Sequence, residues 1–139
     1  SRQILGKNNI MQIKSNPTSV NKSPEELYNF IDKLENFKHL MPPSVEKFEV
    51  DGDSFVFGIK GMPEIRLITK EKSPFSKYVL TAASSKLDFS LSTFIKEIED
   101  NKSEVEVVFD GEMNPMMAMM VKKPLTKFME GLSTQLSAL

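Results

Sequence analysis

The sequence contains no cysteine and no tryptophan, one histidine, and only two arginines, Arg2 and Arg66, among its 18 basic residues. Without thiols there is no disulfide framework, no cysteine nucleophile and no thiolate metal site. The same absence suits a reducing compartment, and the cytoplasm is the expected location. His39, with only scattered carboxylates, makes no credible zinc site, and no serine or cysteine nucleophile lies near it in sequence. It reads as a surface or edge histidine, so no metal and no catalytic residue is assigned. An excess of charge is also lacking: the net charge is −1. A domain built to hold nucleic acid phosphates carries a basic surplus, so no nucleic-acid partner is expected. No run approaches the roughly 18 apolar residues of a membrane span. The N-terminus has no apolar stretch of the secretory kind, and no cofactor is expected.

What is present suits one α+β domain of 139 residues with 40% hydrophobic and 27% charged residues, an ordinary globular balance. The first ten residues, SRQILGKNNI, are polar and precede Met11. Residues 1–10 are read as a tag remnant or disordered extension, and 11–139 as the domain. Met11 to Val20 reads as a first strand, with Pro17 arguing for an edge or a bulge. Ser23-Pro24-Glu25-Glu26 offers an N-cap, a proline at the first helical position and a capping-box glutamate. Leu27, Phe30, Ile31 and Leu34 then recur on one helical face. Asn36 reads as the cap of a second short helix, which Pro42-Pro43 ends.

From Val45 to Met113 alternating runs are separated by turn signals such as Asp51-Gly52-Asp53, Gly61-Met62-Pro63, Ser84-Ser85-Lys86 and Asp100-Asn101-Lys102. Phe94 and Ile98 fall out of phase with Phe89, Leu91, Thr93 and Ile95, which predicts a bulge or two partly covered faces. Asn114-Pro115 opens a final long helix. At about 100° per residue, Met117, Pro124, Leu125, Phe128, Leu132, Leu136 and Leu139 lie within about 60° of Val121, with Met129 at the margin. Pro124 removes one helical hydrogen bond and predicts a kink.

Consecutive hairpins favour an antiparallel sheet, and only the final helix is long enough to cover its apolar face. The expected architecture is therefore a helix grip. A curved antiparallel sheet of about seven strands, in the order β-α-α-β6-α, wraps around the C-terminal helix. A curled sheet does not follow a straight helix along its length, so a hollow is expected between them. The order of elements, the Ser23–Glu26 helix start, the Asn36–Met41 segment ahead of Pro42 and the proline-bearing last helix together resemble the SRPBCC or START-like superfamily. That superfamily includes birch-pollen-allergen-like proteins, polyketide cyclases and coenzyme Q-binding carriers. The resemblance implies a helix-grip fold with a hydrophobic pocket, without implying one activity.

The candidate pocket lining is Phe55, Phe57, Phe89, Phe109, Met117, Val121, Leu125 and Phe128, all of which are core residues by default. Arg66 and Tyr78 are the candidate polar pocket groups, although the alternation with Ile65 and Leu67 points Arg66 outward. Five of the nine methionines fall between Met113 and Met120. Met119 lies opposite Val121 on the helix, so Met116, Met119 and Met120 are candidate pocket-mouth, partner or membrane contacts. Lys122, Lys123 and Lys127 form the wet face beside them. The leading expectation is a binding or carrier domain for a lipid, isoprenoid or quinone-like ligand. The alternatives are a polyketide cyclase- or dehydrase-like enzyme, and an interaction module using the Met-rich helix start.

Overall fold

A computed structural model describes residues 9–84 and 88–139. The chain begins with β1 (Asn9–Lys14) and β2 (Thr18–Val20), followed by α1 (Pro24–Asp32) and a 3-10 segment, Leu34–Leu40. Six strands follow: β3 (Val45–Asp51), β4 (Ser54–Ile59), β5 (Ile65–Ser73), β6 (Lys77–Ala82), β7 (Asp88–Glu99) and β8 (Lys102–Met113). The chain closes with α2 (Pro115–Ser137). All eight strands form one antiparallel sheet in the order β1-β8-β7-β6-β5-β4-β3, with β2 also paired to β8. This curved sheet with a long C-terminal helix is a helix-grip α+β fold.

The single first strand expected over 11–20 is two strands, because Pro17 has no amide hydrogen to give to a ladder. Both pieces still pair with β8, so the strand is interrupted rather than redirected. Buried Ser15 bridges the gap. Its backbone N–H donates to the Val107 carbonyl at 2.8 Å, and its hydroxyl accepts the Val107 N–H at 2.9 Å. The hydroxyl thereby satisfies the Val107 backbone donor at the break in the ladder.

The capping box of α1 forms as its sequence specifies: Glu26 N–H donates to Ser23 Oγ and Ser23 N–H to Glu26 Oε1, both at 3.1 Å. Asn36 corrects the expectation of a second cap. The second helical segment is a 3-10 turn that starts earlier, at Leu34. Asn36 Nδ2 instead donates at 2.9 Å to the Phe30 carbonyl near the C-terminal end of α1, where helical carbonyls lack partners. Asparagine serves either helix end, and sequence spacing alone did not decide which.

In β7 the residues Phe89, Leu91, Thr93 and Ile95 are buried, while Phe94 stands on the outer face under the Lys77 ammonium, 5.8 Å from its ring centroid. Ile98 sits at a register shift between Glu97 and Glu99. Both sequence alternatives therefore operate, at different positions. Of the Ser84-Ser85-Lys86 turn, residues 85 and 86 lie outside the described residues.

The final helix starts as expected, with Asn114 Oδ1 accepting the Met117 N–H at 2.8 Å. It continues through Pro124 to Ser137. Val121, Leu125, Phe128, Leu132 and Leu136 are buried. Met129, expected at the core margin, is only 1% exposed. The reason is tertiary: α2 packs over β1 and β2 as well as β8, and Met129 faces the Ile13 edge of that surface. Gly131 lies on α2 against Pro42, where an added Cβ would stand 2.5 Å from two ring carbons.

Candidate functional site between the sheet and the last helix

The inward faces of β4, β5, β7 and β8 meet α2 and the 3-10 segment in a layer of aromatic rings. Phe57 faces Phe128 across the sheet–helix boundary with centroids 5.5 Å apart, and Phe55 stands 5.9 Å from Phe57. Phe37 of the 3-10 segment lies 5.3 Å from Phe55, and Phe89 lies 5.4 Å from Phe109. These tilted arrangements are favourable for ring quadrupoles and also fill space well. Gly111 of β8 makes room for the second pair: a Cβ there would meet Phe89 at 2.9 Å and Phe109 at 3.0 Å.

The open hollow expected from sheet curvature is corrected by this packing. Two apolar voids of about 20 Å³ each remain, one toward the 3-10 segment and one toward Phe89 and Phe109. A water molecule needs roughly 10–15 Å³ by the same measure, so each void has room for about one. Phe57, Leu67, Leu91 and Phe128 border both voids. Large aromatic side chains bridge the gap that the divergence of helix and sheet would have left.

Of the candidate lining residues, Phe55, Phe57, Phe89, Phe109, Leu125 and Phe128 come together on these walls. Val121 is buried but borders neither void, and Met117 is half-buried one turn nearer the helix start. The walls also include Ile31, Phe37 and Leu40 from the two N-terminal helical segments, Met41 just after them, and Leu132 and Leu136 from α2. The periodicity had put Ile31, Leu132 and Leu136 on apolar helical faces, but it could not show that they meet the aromatic layer. Thr93 and Ser90 are the polar residues on the walls among the described residues.

Arg66 points to the outer face, where its Nη1 donates to Ser54 Oγ at 2.7 Å and lies 4.0 Å from Asp51 Oδ2. It is not brought to the voids. Tyr78 is 2% exposed and inward, but its hydroxyl pairs with Thr69 Oγ1 at 3.0 Å beside a separate polar cleft of about 390 Å³. There Lys72 Nζ forms an ion pair with Asp32 Oδ1 at 2.9 Å. Burial pushes the Tyr78 phenol above its ordinary pKa, opposed by the Thr69 hydrogen bond. His39 is exposed, and its ring lies 6.3 Å from Phe30. Among the described residues no His, Cys, Asp or Glu cluster is arranged to hold a metal ion. No helix among them is long and apolar enough to cross a membrane. Met116, Met119 and Met120 stand out from α2, well exposed.

This architecture is that of the SRPBCC or START-like fold. A START superfamily protein from Mycobacterium smegmatis superposes with a TM-score of 0.68 at 11% identity, covering 93% of this chain and 94% of that one. Norcoclaurine synthase from Thalictrum flavum gives 0.67 at 12%, covering 96% and 93%. The di-domain ARO/CYC protein StfQ of the steffimycin biosynthetic pathway gives 0.67 at 10%, with 93% of this chain matching 50% of that protein's length. At these identities the likeness is one of fold. No protein-family model and no curated protein sequence matches the chain.

Proposed function

We propose that the chain is a cytoplasmic binding or carrier domain for a small apolar molecule, of lipid, isoprenoid or quinone-like character, held between the sheet and α2. The observation that carries this reading is the pair of apolar voids that share Phe57, Leu67, Leu91 and Phe128 as walls, with the rings of Phe57 and Phe128 in contact. Neither ring carries a hydrogen bond, so swinging them aside joins the two spaces without leaving a polar group unsatisfied. A ligand that supplies equivalent apolar contact replaces the lost ring packing. Solvent extraction and mass spectrometry of the protein from its own host are expected to show a co-purifying apolar compound. A panel of apolar compounds is expected to raise the melting temperature. A ligand at 100 times its Kd stabilises by about 2.7 kcal/mol, well within measurement.

Phe128→Ala provides the sharper arm of the test. Removing the ring joins the voids and costs about 3–5 kcal/mol in stability, part of which a small apolar ligand is expected to restore. Empty preparations of the native protein, together with no thermal shift by any compound for either protein, would refute the proposal. The cyclase- or dehydrase-like alternative draws on the likeness to norcoclaurine synthase and StfQ. It requires polar groups converging on the reacting atoms. The voids offer only Thr93 and Ser90 among the described residues, while Tyr78 is engaged elsewhere, so apolar binding is the better-supported reading.

A further inference from the structure

The first half of α2 presents a surface that the packing of the domain does not use. Met116, Met119 and Met120 are 74%, 82% and 63% exposed, high values for large apolar side chains. On a wheel of about 100° per residue they share an arc of about 160° with Lys122, Lys123 and Lys127. All three lysines are exposed, and none forms an ion pair among the described residues. No Asp or Glu occurs between Pro115 and Met129, so this stretch carries +3 on a chain of net charge −1, leaving −4 elsewhere. Glu130, the first acid on the helix, falls about 16 Å along the axis from Met119.

We propose that this face docks on an anionic lipid surface, with the methionine side chains entering the interfacial layer and the lysines pairing with lipid headgroup charges. The chemistry separates a lipid surface from a protein partner. Every large group on the face is an unbranched, flexible chain, and the face carries no Trp, Tyr or Arg of the kind that anchors protein interfaces. It is the convex side of a helix rather than a groove, and lysine, normally depleted at protein interfaces, supplies all its charge. The mixture suits a bilayer surface: thioethers reach the apolar boundary while the ammonium groups interleaved with them snorkel to the headgroups. Such contact is reversible and weak, since three methionines and three lysines fall far short of a spanning helix. The inference stands independently of the pocket.

The test is co-sedimentation of the full chain with vesicles of phosphatidylcholine alone and of phosphatidylcholine with phosphatidylserine. The chain is expected to sediment with the phosphatidylserine vesicles at low salt, and much less with either kind at high salt. Each lysine contributes about fivefold in affinity, so the paired variant Lys122→Glu/Lys123→Glu is expected to lose at least 25-fold. Met119→Glu, at the most exposed position, is expected to weaken binding at least tenfold with an unchanged melting temperature. Met116→Glu provides a second readout of the same kind. No sedimentation with phosphatidylserine vesicles overturns the proposal. Equal binding by the native chain and both methionine variants also overturns it, because the apolar half of the contact would then be idle. Capture of a protein without vesicle binding would overturn it in favour of a protein partner.

Discussion

Gly131→Ala tests how α2 is held over the sheet. In an exposed helix this change stabilises by about 1 kcal/mol, because alanine restricts the unfolded chain and suits the helix. Here the new Cβ would lie 2.5 Å from both Cβ and Cγ of Pro42, whereas carbons rest at about 3.5–4.0 Å. An overlap of about 1 Å or more must be relieved. The proline ring has little freedom to relieve it: its φ is locked, and its carbonyl accepts the Val45 N–H at 3.0 Å at the start of β3. Overpacking of this kind costs about 1–3 kcal/mol, and two contacts on one stiff ring argue for the upper part of that range. After the helix gain is subtracted, a net loss of about 1–2 kcal/mol is expected. For a chain of this size that lowers the melting temperature by about 3–6 °C. Thermal and urea unfolding of Gly131→Ala, Pro42→Gly and the double variant form a cycle that isolates the contact. In the Pro42→Gly background the alanine is expected to be neutral or stabilising. Stabilisation by Gly131→Ala in the native background would refute the reasoning and the spacing of helix and 3-10 segment on which the first void depends. Because Leu40 and Met41 wall that void, the variant is also expected to alter the response to apolar compounds.

Tyr28 and Tyr78 are the two tyrosines of the chain, and burial raises both above the ordinary 10.0. Their contribution to stability is present in full below about pH 10 and is lost as pH rises through the raised values, since the unfolded chain gives up its protons first. Lys72, raised by its pairing with Asp32, adds a loss of the same sign above pH 10.5. A spectrophotometric titration is expected to show tyrosinate forming above pH 10, with the melting temperature falling over the same range; titration at or below 10.0 would contradict the packing described. Asn114→Ala removes the side-chain acceptor for the Met117 N–H and is expected to cost about 1 kcal/mol, read by urea unfolding, while Asn114→Asp keeps most of it. Gly111→Ala presses on Phe89, Phe109 and Met113, whose far ends can shift, so a loss of about 1 kcal/mol is expected together with weaker binding of any compound that uses the second void.

The burial of the residues between sheet and helix was legible in the sequence. Phe55, Phe57, Phe89 and Phe109 lie on alternating strand positions, and Leu125 and Phe128 on the helical stripe, so periodicity alone placed them inside. What it did not show was how the rings meet, which turned an expected hollow into two small voids. Ring contacts such as Phe57–Phe128 join residues 71 positions apart, and no local pattern encodes that distance in space. The orientation of Arg66 followed from strand alternation. The engagement of Tyr78 with Thr69 did not, because it depends on the β5–β6 pairing and on a register shift between Thr69 and Glu71.

The amino-acid order determined the local elements: the capping box at Ser23, the turn at Gly52, the Asn114-Pro115 start of α2 and the helix-grip sequence of strands and helices. These depend on forces acting over a few residues, namely steric limits on φ, capping hydrogen bonds and the period at which apolar groups recur. The tertiary structure decided which helix end Asn36 caps, why Met129 is buried, why Gly131 has no side chain, and how little space is left beneath α2. Each of these is set by a partner distant in the chain or by close packing in three dimensions. A one-dimensional pattern can require that a face be buried without specifying what fills the space against it.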